Sequence, residues 1–171
     1  LARKYFEESL DIDRALASEL GTPGSRRDVG FSLRKVGGIA QASGDLDLAR
    51  KYFEESLDID RALASELGTP GSRRDVGVSL ARLGEIAQAS GDLDLARKYS
   101  EESLDIDRAL ASELGTPDSR RDVGVSLARV GEIAQASGDL DLARKYFEES
   151  LDIDRALASE LGTPGSRRDV G

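Results

Sequence analysis

Apolar positions along this chain recur at spacings of three, four and their sums, in long stretches separated by short glycine- and proline-containing breaks. Residues 48–94 read LARKYFEESLDIDRALASELGTPGSRRDVGVSLARLGEIAQASGDLD. In the first stretch Ala49, Phe53, Ser56, Leu57, Leu63 and Leu67 share one side, and Arg50, Glu54, Asp58, Arg61 and Ser65 follow the other. That spacing predicts an amphipathic helix, here called type B. Asp45, after Gly44, is placed to accept a hydrogen bond from a first-turn amide, and Asp47 suits the positive end of the helix dipole. Gly68, followed by Pro70, marks the end, because glycine accepts the left-handed conformation that stops helices and proline cannot continue one. In the second stretch, type A, Val76, Leu80, Leu83 and Ala87 form an apolar stripe beside Gly77 and Gly84. Two starts suit it: Thr69 before Pro70, or Ser72 in Ser-Arg-Arg-Asp.

The pattern returns every 47 residues, so the 171-residue chain holds three copies and 30 residues of a fourth. The units are 1–47, 48–94, 95–141 and a partial 142–171, read as one array over 1–171. A fixed period of this size marks units that bury their apolar faces against neighbours, so an all-α solenoid is expected. Seven helices are predicted: B from Leu1, A from about Ser25, B from about Leu46, A from about Ser72, B from about Leu93, A from about Ser119 and B from about Leu140. Gly165 to Gly171 would begin an eighth. Residue 1 falls inside a repeat and the last copy stops partway, as expected of a stretch of a longer array. A glycine inside a helix costs up to ~1 kcal/mol relative to alanine, so two in every A helix imply a closely approaching neighbour, with Ala96 the expected small partner.

The order Leu80, Leu83-Gly84, Ala87, Gly91, Leu93, Ala96, then Ser100 where other copies have Phe53 and Phe147, resembles the tetratricopeptide repeat. In that family one helix carries a leucine-glycine pair, a glycine marks the turn, and the second helix presents a small residue followed four later by an aromatic. The period departs from the family's usual ~34 residues, and Arg61 and its equivalents replace the proline that normally closes the second helix. The additional residues fall in a longer B helix, through ALASEL, and a longer approach to helix A, through GTPGSRRD, which resembles the extended bacterial variants. HEAT-type and armadillo-type arrays have periods nearer 47, but two helices per unit and the glycine placement favour the tetratricopeptide pattern. The resemblance implies a right-handed superhelix of antiparallel helix pairs whose concave surface holds an extended or helical peptide.

Composition narrows the chemistry. Histidine, cysteine, methionine, tryptophan and asparagine are absent, which removes imidazole bases, thiolate nucleophiles, disulfides, sulfur or nitrogen zinc sites and N-glycosylation acceptors. No catalytic, metal or cofactor site is expected, and the chain reads as noncatalytic. Asp58 with Asp60, and Asp92 with Asp94, stand two apart and diverge on a helix, outside any EF-hand loop. Gly37-Gly38 lies within helix A with no lysine at the Walker spacing. With 33 acids against 24 bases the net charge of −9 opposes binding to nucleic acid or anionic membrane. The pairs Arg26-Arg27, Arg73-Arg74, Arg120-Arg121 and Arg167-Arg168 therefore read as solvated or salt-bridged. Asp60 falls near the apolar stripe, so an ion pair is expected there, with Arg73 or Arg74 as its partner. The tyrosines at 5, 52, 99 and 146 read as packing residues. With no signal peptide or apolar span, a cytoplasmic location is the default.

Differences among the copies concentrate in the first A helix, where Phe31, Arg34, Lys35, Val36 and Gly38 stand in place of Val78, Ala81, Arg82, Leu83 and Glu85. Positions 31, 34 and 38 share a face turned away from Leu33, Val36 and Ala40, and Gln41 continues it. The expected partner-binding groove comprises Phe31, Arg34, Gly38 and Gln41, then Val78, Ala81, Glu85 and Gln88, then Val125, Ala128, Glu132 and Gln135. Its glutamines suit a peptide backbone and its glutamates favour a partly basic protein or peptide. The alternative is a structural or self-assembling array, a spacer or regulatory arm, with end-to-end association in which the last B helix meets Tyr5, Leu10 and Leu16 of another molecule.

Overall fold

The computed structural model describes residues 2–161, which form seven α-helices joined by short turns; the expected start of an eighth helix lies outside the described residues. The chain divides into two compact units, Leu1–Tyr99 and Ser100–Gly171, with the division inside one helix. No strand occurs among the described residues.

The first unit holds α1 (Ala2–Leu20), α2 (Pro23–Ala42), α3 (Leu46–Leu67), α4 (Pro70–Ala89) and the opening turns of α5 (Leu93–Leu114). α1 and α3 are type B, α2 and α4 type A. α2 packs against α1 and α3, and α3 against α4, as antiparallel neighbours linked by tight turns. Leu10, Val29, Leu33 and Val36 form a buried cluster with Ala17, Tyr52 and Ile59 packed on it. The second unit holds the rest of α5, with α6 (Pro117–Ala136) and α7 (Leu140–Leu161), of types A and B. The same positions two periods along build its core: Leu104, Val123, Leu127 and Val130, with Ala111, Tyr146 and Ile153 against them.

Local signals account for the boundaries. The A helices begin with Pro23, Pro70 and Pro117 in the first turn, and Thr22, Thr69 and Thr116 are the caps. The threonine hydroxyls accept from the amides of Ser25, Ser72 and Ser119 at 3.1, 3.2 and 3.2 Å. Proline lacks the amide a first turn leaves unpaired, so Thr-Pro is the cheaper of the two starts, and the serine hydroxyl turns back to the threonine carbonyl instead. At the B helices Asp45, Asp92 and Asp139 accept from the amides of Leu48, Leu95 and Leu142 at 3.2, 3.1 and 3.2 Å. α3 ends at Gly68 with φ 61°, where a Cβ would be strained.

Candidate binding surface

Each A helix buries one side completely. Leu33, Val36 and Ala40 on α2, Leu80, Leu83, Ile86 and Ala87 on α4, and Leu127, Val130, Ile133 and Ala134 on α6 are all within the core. That packing leaves the position before the buried serine facing outward: Phe31 is 53% exposed, Val78 41% and Val125 53%. Gly38 and Gln41 on α2, and Ala81, Glu85 and Gln88 on α4, are half-buried beside them. On α6, Ala128 is half-buried, and Glu132 and Gln135 are exposed. Glu85 also pairs with Arg82 at 2.9 Å.

Arg34, expected on the outward face, is placed differently. Its Nη1 donates to Oδ2 of the fully buried Asp60 at 2.7 Å and to the Ser56 hydroxyl at 3.2 Å, and Nη2 lies 3.6 Å from Asp75. Position 34 sits four residues after Gly30 and three before Gly37, the glycine strip that faces α3, so its long side chain runs into that interface. Asp60 thus takes Arg34 where Arg73 or Arg74 was expected. Its Oδ2 also accepts from Ser79 at 2.7 Å and Ser56 at 3.3 Å, joining α2, α3 and α4 through one carboxylate. Lys35 is the cation on the outward face: its Nζ stands 4.5 Å from the centre of the Phe31 ring and 5.6 Å from that of Phe6. The spacing of four between Phe31 and Lys35 is the signal that would have singled out the lysine.

The helical glycines receive particular side chains. A Cβ on Gly37 would lie 2.8 Å from the Phe53 ring, and one on Gly131 would lie 2.8 Å from that of Phe147. The close neighbour in these two contacts is therefore the aromatic four residues after the small Ala49 or Ala143. At the glycines seven residues earlier on the same helices, the Ser56 hydroxyl donates to the Gly30 carbonyl at 3.1 Å, and that of Ser150 to the Gly124 carbonyl at 2.9 Å.

Ion pairs line the outside. Arg27 Nε donates to Asp75 at 2.6 Å, which raises the arginine pKa above its ordinary value. Arg120 donates to Glu160 from both Nη1 and Nη2, at 2.7 and 2.6 Å, and holds that carboxyl below the usual glutamate range. The Arg-Arg pairs at the A-helix starts thus serve interhelical pairing in these instances. No group of three or more acidic side chains able to hold a metal ion occurs among the described residues, and none of the described helices is long and apolar enough to cross a membrane.

Antiparallel A and B helices alternating within each unit, with glycines of A receiving the aromatics of B, define an α-helical repeat protein. The sequence matches the tetratricopeptide repeat family over residues 28–109 and again, one period along, over 75–156. The chain belongs to the tetratricopeptide repeat family. Fold and family are those of a helical-repeat scaffold, consistent with a noncatalytic role. No curated protein sequence matches the chain. Among solved structures it is similar to BtubC (BKLC) from P. vanneervenii, with 20% identity over 92% of this chain and a TM-score of 0.72. The chain spans 57% of the length of that protein. It is also similar to the DHF58 filament (23% identity, 91% of this chain and 83% of that one, TM-score 0.55) and to MamA (16%, 90% and 81%, 0.50). At these identities the likeness is one of fold.

Proposed function

We propose that this protein is a noncatalytic interaction scaffold whose A helices bind a partly basic peptide segment of a partner protein. The observation that carries this reading is the exposed apolar residue at one position of three A helices, Phe31, Val78 and Val125, on helices whose other large apolar side chains are mostly buried. Side chains able to orient a peptide flank them: Gly38 and Gln41 on α2; Ala81, Glu85 and Gln88 on α4; Ala128, Glu132 and Gln135 on α6. The glutamines offer a donor and an acceptor each, and the two glutamates attract lysine or arginine. Arg34, tied to Asp60, takes no part. The net charge of −9 favours the same class of partner, and the default location is cytoplasmic.

The test is fluorescence anisotropy with a panel of labelled peptides that alternate lysine with apolar residues. Saturable binding is expected, weakened by Glu85→Lys with Glu132→Lys, and the weakening should shrink at high salt. Unchanged affinity in that double variant, with loss on Glu54→Lys and Asp58→Lys, would place the surface on the B helices. A second reading, an array that associates through its outer helices, is favoured by the exposure of Tyr5, Leu16, Leu140 and Leu151.

A further inference from the structure

The packing around Asp60 engages only one of its two carboxylate oxygens. Oδ2 accepts from Arg34, Ser56 and Ser79, whereas Oδ1 is buried and accepts no hydrogen bond. A Cβ on Gly30 would lie 3.1 Å from Oδ1, so that oxygen lies beside a glycine Cα of α2, which supplies no conventional donor. Leaving a buried carboxylate oxygen without a donor is costly. Asp60 also forms part of the wall of a cavity of about 160 Å³ between α2, α3 and α4.

The other end of that cavity is built by two helix starts. Gly24 of α2 and Gly71 of α4 line it, each one residue after the first-turn proline. The caps Thr22 and Thr69 accept from the amides of Ser25 and Ser72, one residue further on. The first amides of a helix have no carbonyl a turn earlier to bond, and they carry the positive end of the helix dipole. Gly24 stands six residues before Gly30, about 9 Å along α2, so the unpaired oxygen and these amides mark opposite ends of a slot. Buried Leu63 and half-exposed Leu67 supply an apolar side.

The slot is electrically balanced as a whole and polar along its length. Asp60 is paired with Arg34, and Asp75 with Arg27, so a ligand of net charge would leave one ion uncompensated. The inner end calls for a donor and the outer end for an acceptor. A simple amine answers the first alone, and a simple carboxylate the second alone. A zwitterion answers both without net charge. An interior space of about 150 Å³ accepts a benzene-sized molecule of about six non-hydrogen atoms, which is the size of alanine.

We infer that the slot between α2, α3 and α4 binds a small zwitterionic α-amino acid. Its ammonium donates to Oδ1 of Asp60, its carboxylate is held by the amides of Gly24 and Gly71, and its side chain lies against Leu63 and Leu67. The slot shares no residue with the outward A-helix face assigned to peptide binding, so occupancy of one does not require the other. The third copy supplies a control, because Asp118 stands there at the position of Gly71. α6 begins at Pro117 in the same manner with that aspartate in its first turn, and a Cβ on Gly71 would meet nothing within 4 Å. Gly71→Asp therefore keeps the helix start while setting a carboxylate where the ligand's own would sit.

The test is a nitrogen-15 NMR titration of the full chain with L-alanine, followed at the Gly24 amide. Saturable movement of that resonance is expected. Ethylammonium and propionate, each carrying one of the two charged ends, should bind at least about tenfold more weakly. Gly71→Asp should weaken L-alanine binding by a similar factor without lowering the urea midpoint. Asp60→Asn, which removes the inner charge, should do the same, and if that variant fails to fold, Gly71→Asp decides alone. Propionate binding as tightly as L-alanine would reduce the slot to an anion site at the helix starts. Ethylammonium binding as tightly, with Gly71→Asp without effect on L-alanine, would make it a cation site on Asp60. Either outcome, or a Gly24 resonance that L-alanine does not move, overturns the inference.

Discussion

Phe53 lies on Gly37 with its ring so close that a methyl group on the glycine would fall 2.8 Å from Cε1. The ring is fully buried on α3 between α2 and α4, and has no room to withdraw. Gly37→Ala should therefore cost about 1–3 kcal/mol, the usual range for forcing an extra methyl into a packed interior. The same contact exists between Gly131 and Phe147, but Phe147 is partly exposed and its ring can swing toward solvent, so Gly131→Ala should cost less. Gly38, adjacent to Gly37 with nothing near the added carbon, should tolerate alanine with a gain of up to about 1 kcal/mol from helix propensity. Urea midpoints of the three variants check this, and equal shifts would contradict it.

The helices and the family were legible because period, spacing and capping residues are local signals. Leu33, Leu80 and Leu127 are buried where the 3.6-residue rhythm puts them. The two unresolved starts of helix A were settled by the proline, whose missing amide makes the threonine cap favourable. What the pattern did not carry was the reach of long side chains. Arg34 occupies the angular position of a surface residue, yet its guanidinium extends across to Asp60, a partner 26 residues away that no local periodicity names. The same holds for the glycine strip: close approach was expected from two glycines seven apart, but whether an alanine or a phenylalanine filled the gap depends on the stagger between helices.

Asp60 gathers three donors, and Arg34 is one of them. Asp60→Ala should be the more damaging change, because it strips Arg34, Ser56 and Ser79 of their shared acceptor at once and leaves a guanidinium largely out of water. Breaking such a buried pair costs about 3–5 kcal/mol. Arg34→Ala leaves the carboxylate held by both hydroxyls, and alanine is the residue at positions 81 and 128 of the other copies, so the loss should be smaller. Chemical denaturation of the two variants and the double variant measures the order and the coupling. Equal losses would mean that the serines contribute nothing to holding the charge.

The pairing of Glu160 with Arg120 predicts an acid response. The glutamate's pKa is lowered in the folded state by the hydrogen bonds from Arg120. A depressed carboxyl contributes stability above its unfolded pKa and loses it as the pH falls through the folded value. α7 should therefore loosen below the usual glutamate range, by a small amount because the pair is exposed. Side-chain NMR titration of Glu160 should show the low value, and Arg120→Gln should return it to normal. A Glu160 titration unaffected by Arg120→Gln would exclude the hydrogen bond as its cause.

Leu16 and Leu63 occupy the same place in the 19-residue sequence that α1 and α3 share, one exposed and one buried. Intrinsic propensity, neighbours along the helix and the glycine that follows it, Gly21 or Gly68, are matched between them, so a comparison of Leu16→Ala with Leu63→Ala isolates the contribution of the adjoining A helix. Leu63→Ala removes a side chain enclosed by α2 and should cost about 2–5 kcal/mol. Leu16→Ala trims a side chain already in water, where surface substitutions stay within about 0.5 kcal/mol. Leu157→Ala on α7 should resemble Leu63→Ala, because α6 covers it in the same manner. Thermal or urea unfolding of the three variants separates the outcomes. A large loss on Leu16→Ala would show that the α1 face is already covered in solution, and a small loss on Leu63→Ala would remove the preceding A helix as the source of burial.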